Sequence, residues 1–199
     1  QLIMFYRIMR WIVYPFIRLF IRVEHYGSEN IPKNKGYILC ANHISIADMF
    51  ALAVPVKGQI RYMAKGELFK FAPLKWFFTA LGSFAVKRGQ GDTGAIDKAC
   101  SIIDNGGVLG IFPEGTRSKT GEPGKAKSGI ALIAMRTKAD ILPISIKYST
   151  GTFKLFCKAT VRVGELIPYT PPAEDETQRA SIRRISTSVM DEIKNLWEK

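Results

Sequence analysis

The sequence predicts an α/β fold with a largely parallel central sheet flanked by helices. From Gly36 onward, short apolar runs alternate with helical stretches, and turn-forming residues separate the two. This alternation is typical of parallel sheets covered by helices, in which functional loops follow the carboxyl ends of the strands. With 199 residues, 47% of them apolar, the chain can bury the core of one domain.

The predicted elements follow one another in a regular order. The predicted strands are short apolar runs bounded by turn residues, and they cover residues 37–41, 60–64, 83–86, 108–112, 141–147 and 155–163. The predicted helices have apolar residues at helical spacing, and they cover residues 46–54, 67–81, 93–105, 127–138 and 174–197. Because no internal repeat divides this stretch, residues 26–199 are predicted to form a single domain.

Residues 1–25 differ from the rest and are predicted to form an amphipathic helical segment that docks on a membrane surface. No acid occurs between Leu2 and Arg22. At about 100° per residue, the arginines fall within about one third of the helix circumference, opposite a broad apolar face. They are Arg7, Arg10, Arg18 and Arg22. Arginines argue against a membrane-spanning helix and favour one lying in the interface. A core-packing helix is the alternative, and Pro15 is expected to kink or split the segment.

The composition restricts both the partners and the chemistry. With 29 Lys and Arg against 17 Asp and Glu, the formal charge is +12, which favours anionic partners. The aromatic residues cluster with aliphatic ones instead of alternating with basic ones, so we expect no nucleic-acid partner. The 3 cysteines are widely spaced and the 2 histidines lack metal-ligand spacing. We therefore expect no disulfide framework, no metal and no other cofactor.

Residues 42–48 contain the first candidate catalytic pair, His43 and Asp48, where strand 37–41 is predicted to meet helix 46–54. On one regular helix these two side chains would point about 140° apart. They can meet only if His43 lies in the turn and Asp48 in the first helical turn. Asp48 could then fix the imidazole tautomer while the other ring nitrogen takes a proton from a hydroxyl.

The same residues allow a structural interpretation. Ser45 and Asp48 have the spacing of a capping box, with Asp in place of the usual Glu. A lone histidine before a helix is also more often structural than catalytic. On these residues alone, the catalytic and the capping interpretations both stay open.

A second candidate site is the sequence Phe-Pro-Glu-Gly-Thr-Arg-Ser at residues 112–118, after the fourth predicted strand. A proline and a glycine turn the chain there, which leaves Glu114, Thr116 and Arg117 on the loop. Arg117 offers a planar set of donors that suits phosphate oxygens. A strand-terminating turn with a solvated charge pair is the alternative.

Two more cations lie at the ends of predicted strands. Lys65 follows the strand at 60–64, and Arg88 follows the strand at 83–86. If all these loops meet at one edge of the sheet, both cations could face the same anion as Arg117. Each could equally be a solvated surface charge.

Four blocks of the sequence together resemble the glycerophosphate acyltransferases, and within them the bacterial 1-acylglycerol-3-phosphate acyltransferases. Residues 42–48 are similar to the family's His-x-x-x-x-Asp block, and residues 82–88 to its Gly-to-Arg block. Residues 112–118 are similar to its Phe-Pro-Glu-Gly-Thr-Arg-Ser block, and residues 142–144 to its Pro-centred block. The blocks have the family's order and approximate spacing over residues 26–145.

The resemblance implies an acyltransferase domain over residues 26–199, with His43 as general base and Asp48 as its orienting partner. It implies further residues that bind or shape the acceptor site: Lys65, Arg88, Glu114, Gly115, Thr116 and Arg117. The implied donor is acyl-CoA or acyl-carrier protein, and the implied acceptor is lysophosphatidic acid in phospholipid synthesis. The implied location is the cytoplasmic face of the cell membrane, with peripheral or monotopic attachment.

Three positions depart from the family pattern. Ile44 stands where Gln is frequent, Lys87 where an acid often precedes the arginine, and Ile144 where Val is usual. None of these changes affects a proposed catalytic atom, although Lys87 bears on which acceptor is preferred.

Two rival functions follow from the same residues. A thioesterase would also use an activated histidine, but the sequence contains no Gly-x-Ser-x-Gly elbow, and Cys40 falls in a predicted buried strand. A non-enzymatic basic module that binds anionic lipid or nucleic acid is the second rival, although the clustering of aromatic with aliphatic residues weakens the nucleic-acid alternative. An apolar and aromatic cluster at residues 71–78 could line an acyl tunnel, touch the membrane or simply pack in the core.

Overall fold

A computed structural model of the chain describes residues 15, 20–86 and 93–199. Its strands are β1 (Arg22–Tyr26), β2 (Tyr37–Ala41), β3 (Ile60–Lys65), β4 (Phe84–Val86), β5 (Val108–Ile111), β6 (Ile141–Tyr148) and β7 (Lys158–Val163). They form a seven-stranded sheet in the order β1-β7-β6-β2-β5-β3-β4. Neighbouring strands run parallel, except for the antiparallel pair β6 and β7. The predicted fold class, a largely parallel sheet flanked by helices, is confirmed.

The antiparallel pair follows from a short connection. Residues 149–157 join β6 to β7, and a parallel crossover needs about a dozen residues or more. The strand predicted at 155–163 begins only at Lys158, because Leu155 and Phe156 form a turn instead.

Strand β1 is not predicted by the sequence. It is an edge strand whose residues are exposed or half-buried, so it lacks the apolar pattern that marks the central strands. It pairs in parallel with β7, from Arg22 opposite Lys158 to Tyr26 opposite Arg162. The predicted boundary between residues 25 and 26 therefore falls within this strand.

The helices are α1 (Asp48–Leu52), α2 (Ala72–Ala80), α3 (Thr93–Asp104), α4 (Gly129–Thr137) and α5 (Gln178–Glu198), with short 3-10 helices at Ser28–Asn30 and Gly66–Phe69. The single helix predicted at 67–81 is thus divided in two. Phe71 has an extended backbone, and Pro73 lies in the first turn of α2, where its missing N–H costs no hydrogen bond. The helix predicted from residue 174 starts later, because the Thr177 hydroxyl caps it by accepting from the Ala180 N–H at 3.3 Å.

Both faces of the central strands are buried. On β2, Tyr37, Leu39 and Ala41 face one core, while Ile38 and Cys40 face the other. The first core includes residues of α1, and the second is covered by α3, α4 and α5. This arrangement explains why the central strands are apolar throughout instead of alternating with polar residues.

Within the part of the chain that the structure describes, no helix is both long and apolar enough to cross a bilayer. Most of the segment predicted to dock on membranes, residues 1–14 and 16–19, lies outside the described residues. Its amphipathic helix stays a prediction there, but residues 22–25 of the same segment are not helical, because they pair with β7 as part of β1.

Candidate active site

Asn42 fixes the end of β2 at the carboxyl edge of the sheet. Its side-chain amide donates to the Ile146 carbonyl at 2.8 Å, and its oxygen accepts from the Ile146 N–H at 2.7 Å. The side chain thereby continues the pairing of β2 with β6 by one more step, in a position that is 1% exposed. His43, the next residue, is consequently held at the edge of the sheet. Asn42 belongs to the first sequence motif, residues 42–48, but the motif by itself indicates no role for it.

His43 and Asp48 are in direct contact. The Nδ1 atom of His43 lies 2.8 Å from Oδ2 of Asp48. The His43 side chain is 19% exposed, whereas the Asp48 side chain is fully buried. Among the described residues, no hydrogen bond engages Nε2 of His43. If Nδ1 bears the proton, Nε2 is therefore a free base at the mouth of the site.

Asp48 is the first residue of α1, and its carboxylate also holds the turn that precedes the helix. Besides the imidazole, Oδ2 accepts from the Ile44 N–H at 2.6 Å and from the Ser45 N–H at 2.8 Å. The bond to Ser45 is the half of a capping box in which the carboxylate reaches back, although the N-cap residue of α1 is Ala47. The capping and the orienting interpretations therefore describe the same carboxylate.

Stacked aromatic rings fix the plane of the imidazole. The Phe112 ring stacks on His43 with centroids 4.0 Å apart and planes 14° apart. The Tyr62 ring is also nearly parallel to the Phe112 ring, with centroids 5.8 Å apart and planes 5° apart. Gly110 leaves room for this stack, since a Cβ there would come within 2.6 Å of Ile60 and Tyr62. These contacts restrict ring rotation, as the Asp48 bond does.

Glu114 joins the second motif to the first. Its Oε1 accepts from the His43 N–H at 3.1 Å. It also accepts from the backbone N–H of Gly124, and its residue is only 6% exposed. Burial raises the pKa of this carboxyl, while the two N–H donors oppose the rise. In the described structure the Glu114 carboxylate thus binds the backbone N–H groups of His43 and Gly124. Its predicted contact with the acceptor stays a prediction.

The rest of this loop lies beside His43. The Ser118 N–H donates to the His43 carbonyl at 2.7 Å, and Arg117, the preceding residue, is exposed. Arg117 makes no ion pair or hydrogen bond with the residues described. Thr116 is likewise exposed, and Gly115 has a positive φ of 67° that favours glycine.

Lys127 is a cation near the second motif that the sequence did not place there. Its Nζ would lie 3.2 Å from a Cβ added to Gly115, so its amine sits over the turn of the second motif. Its backbone N–H donates to the Pro113 carbonyl at 2.8 Å. The only sequence signal was a pair of lysines, Lys125 and Lys127, at the start of the helix predicted at residues 127–138.

The structure gives the position of only one of the two other predicted cations, Lys65 and Arg88, and for Lys65 it gives the backbone alone. Lys65 ends β3, opposite Val86 on β4, and its side chain lies outside the description. Arg88 also lies outside the described residues. Their strands do end at the edge that bears His43, because β3, β4, β5 and β2 are mutually parallel.

Comparison with known proteins identifies the family. The family model described as Acyltransferase matches residues 22–147, well over half of the chain. The chain belongs to the acyltransferase family. It is 31% identical to the 1-acyl-sn-glycerol-3-phosphate acyltransferase of Bacillus subtilis, over 71% of this chain and 70% of that protein. The Borreliella burgdorferi protein of the same name is also 31% identical, over 67% of this chain and 54% of that protein.

A solved structure agrees with this assignment. The crystal structure of PlsC, the 1-acyl-sn-glycerophosphate acyltransferase of Thermotoga maritima, matches with a TM-score of 0.69 and 26% sequence identity. The match covers 98% of this chain and 81% of that chain. The resemblance seen in the four sequence blocks is confirmed.

Tyr148 is a further residue of the candidate active site that the sequence did not reveal. Its hydroxyl donates to Oδ1 of Asp48 at 2.8 Å, and the residue is 2% exposed. Burial, together with the negative charge of Asp48, raises the pKa of Tyr148 and keeps its hydroxyl protonated. Both oxygens of the buried carboxylate are therefore satisfied. Tyr148 lies 100 residues from Asp48 in the chain, so no local pattern could link them.

We expect Tyr148→Phe to lower both the stability and the kcat of the acyltransferase, without changing its affinity for either substrate. Loss of a hydrogen bond to a buried charge should lower the free energy of unfolding by about 1.5–3 kcal/mol. We also expect kcat to fall while both KM values stay the same, since Tyr148 contacts Asp48 and not a substrate. Urea unfolding and steady-state kinetics test this, with Tyr26→Phe, which removes an exposed hydroxyl, as the control. An unchanged kcat in a destabilised protein would limit Tyr148 to a structural role.

Cys40 is not available as a nucleophile in this acyltransferase. It is 0% exposed in the centre of β2, and burial raises the pKa of its thiol. Among the described residues, no serine or cysteine side chain is hydrogen-bonded to the His43 imidazole. The geometry thus offers a base without a protein nucleophile, which suits direct transfer between two bound substrates.

Proposed function

We propose that this acyltransferase moves a fatty acyl group from acyl-CoA or acyl-carrier protein to the sn-2 hydroxyl of 1-acylglycerol-3-phosphate. The product would be phosphatidic acid, a precursor in phospholipid synthesis. The single observation that supports the chemistry is the 2.8 Å contact between His43 Nδ1 and the buried Asp48, which leaves Nε2 without a hydrogen bond to any described residue. The names of the relatives from Bacillus subtilis and Borreliella burgdorferi support the choice of acceptor.

In the proposed mechanism, Nε2 of His43 takes the proton from the acceptor hydroxyl. The oxygen attacks the thioester carbonyl, the carbon–sulfur bond breaks, and the proton passes from the imidazolium to the leaving thiolate. Asp48 stabilises the imidazolium while it bears the charge. No acyl-enzyme intermediate is needed, and no cofactor enters the reaction.

The acceptor phosphate is proposed to lie against the cations of the carboxyl edge. Arg117 is exposed beside His43, and Lys127 lies over Gly115 in the same loop. Lys65 and Arg88 are proposed to approach from the ends of β3 and β4. An arginine suits a phosphate because its planar donors can bind two oxygens at once.

We expect Arg117→Ala to raise KM for lysophosphatidic acid by about 10-fold or more, the scale of a hydrogen bond between charged groups. KM for the acyl thioester should stay the same, because the proposed contact is to the acceptor phosphate alone. Steady-state titration of each substrate measures both values. Lys119→Ala, which removes an exposed cation from the same loop, is the matched control. If only the donor KM rises, Arg117 belongs to the CoA or carrier side.

The proposed location is the cytoplasmic face of the cell membrane, with peripheral or monotopic attachment. The acceptor and the product are both amphiphiles, so a site at the bilayer surface can take the headgroup while the tail stays in lipid. The net charge of +12 suits anionic lipid. Residues 1–25 remain the proposed docking segment.

The decisive experiment is a thiol-release assay with both donors and a panel of acceptors, followed by analysis of the lipid products. The expected result is phosphatidic acid from lysophosphatidic acid. Glycerol-3-phosphate and other lysolipids are the alternative acceptors. Thiol release that needs no acceptor would instead identify a thioesterase and overturn the proposal.

A further inference from the structure

The connection between β6 and β7 ends in an exposed apolar turn. Leu155 and Phe156 are the central residues of this turn, and they are 63% and 71% exposed. The Cys157 N–H closes the turn by donating to the Lys154 carbonyl at 3.2 Å. The Phe20 ring lies 5.9 Å from the Phe156 ring and is itself 38% exposed. We call Phe20, Leu155 and Phe156 the apolar tip.

The backbone of the apolar tip is strained, because a bulky residue occupies the turn position that has a positive φ. Phe156 has a φ of 66°, a region that favours glycine and is costly for a bulky side chain. Two backbone bonds hold it there: Phe156 N–H donates to the Phe20 carbonyl at 2.7 Å, and Arg22 N–H donates to the Cys157 carbonyl at 3.2 Å. A strained turn that exposes two large apolar side chains indicates binding of an apolar partner.

The apolar tip extends from the same edge of the sheet as the active site. Because β6 is parallel to β2, both strands end at one edge, and the tip continues beyond the end of β6. Tyr148, the last residue of β6, bonds to Asp48, and its ring packs edge-on against Phe153 with centroids 5.8 Å apart. Ile46, in the turn between His43 and Asp48, is also exposed at this edge, at 53%.

Basic residues surround the apolar tip. Residues 149–158 include Lys154 and Lys158 and contain no acid. On β1, Arg22 is exposed, and Glu24 lies between Arg22, at 3.4 Å, and Lys158, at 3.3 Å. One carboxylate thus faces two cations, and Lys154 adds a third charge, so the surroundings are positive. An apolar projection ringed by cations suits an anionic bilayer, in which apolar side chains pass below the phosphates and cations stay among them.

We propose that the apolar tip inserts into the boundary between headgroups and acyl chains of an anionic phospholipid bilayer. Insertion would hold the carboxyl edge of the sheet, with His43, against the membrane that contains the acceptor. The inference rests on the proposed function only in that the acceptor is a membrane lipid. The contact is separate from the docking segment predicted at residues 1–25, except for Phe20 and the neighbouring Arg22.

The test uses the full chain and the double variant Leu155→Ser with Phe156→Gly. Sedimentation with vesicles of phosphatidylcholine and phosphatidylglycerol, titrated over lipid concentration, gives a partition coefficient. Loss of two apolar side chains should lower it about tenfold or more. Glycine relieves the positive φ at position 156, so the thermal unfolding temperature should not fall. Tyr26→Ser is the matched control, since Tyr26 is 54% exposed at the far end of β1.

The outcomes distinguish insertion of the apolar tip from membrane contact through α2 and from docking of acyl-carrier protein on the tip. An unchanged partition coefficient in the double variant overturns the proposal, and a decrease in Phe71→Ser alone would place the contact at α2. If the double variant binds vesicles normally but has a raised KM for acyl-carrier protein, the tip docks the carrier and the membrane proposal is wrong.

Activity measurements distinguish a failure of the proposed function from a failure of the membrane contact proposed for the apolar tip. The vesicle titration contains no substrate, so the tip can be supported even if the wild-type chain transfers no acyl group. The double variant should keep the wild-type rate with a short-chain, water-soluble acceptor. With a long-chain acceptor presented in vesicles, its rate should fall in parallel with its partition coefficient.

Discussion

Replacing His43 with alanine is expected to abolish acyl transfer while the domain stays folded. The change removes the free Nε2 base, and general-base contributions are worth about 10²–10⁴-fold. The fold should survive, because Asp48 keeps its bonds to the Ile44 and Ser45 N–H groups and to the Tyr148 hydroxyl. A thiol-release assay measures the rate, and circular dichroism checks the fold.

His25→Ala is the matched control for this experiment. His25 is the other histidine of the chain, and among the described residues its exposed ring bonds only to the nearby Ser28 hydroxyl, at 2.8 Å. Its loss should leave the rate unchanged. Full activity in His43→Ala would overturn the proposed mechanism, whatever the fate of the control.

The second large effect is expected for Asp48→Asn, with a loss of about 10²–10⁴-fold in kcat. The neutral amide cannot stabilise the imidazolium as a carboxylate does. The shape can be kept, because the asparagine oxygen can accept in place of Oδ2. The Tyr148 hydroxyl can then turn to accept from the amide N–H. Steady-state kinetics and urea unfolding together test this expectation.

Two further variants separate charge from capping. Asp48→Ala leaves the imidazole, two backbone N–H groups and the Tyr148 hydroxyl without their acceptor. It should therefore cost more stability than Asp48→Asn, by about 1–3 kcal/mol for each buried donor. Ser45→Ala removes only the 3.2 Å bond to the Ala47 N–H and should leave kcat near normal. A stable, fully active Asp48→Asn would show that this carboxylate only caps the turn.

The fold could be predicted where local pattern and tertiary role agree. Strands β2 and β5 are apolar on both faces because helices cover both, so their runs are easy to recognise. The edge strand β1 has no such run, since much of it faces solvent. The division of the predicted helix 67–81 depends on the extended backbone at Phe71, which no apolar period indicates.

The candidate site could be predicted to the extent that its residues are neighbours in sequence. His43 and Asp48 are five positions apart, and their contact follows from a strand, a turn and a helix in that order. The place of Glu114 at the acceptor stays a prediction, whereas its bond to the His43 N–H, 71 residues away in the chain, could not be predicted from local sequence. Leu155 and Phe156 of the apolar tip were expected to be part of a strand, because large apolar side chains are typical of one.

By itself, the sequence determined the α/β class through the alternation of short apolar runs with helical stretches, and the family through four short blocks. It also indicated the pairing of His43 with Asp48, because these residues are only five positions apart. Only the tertiary structure decided what surrounds the pair. Tyr148 reaches Asp48, and Asn42 reaches Ile146, because β6 lies beside β2 in the sheet. The order of the strands depends on how the whole sheet buries both of its faces. The sequence of one strand therefore does not indicate which strand will lie beside it.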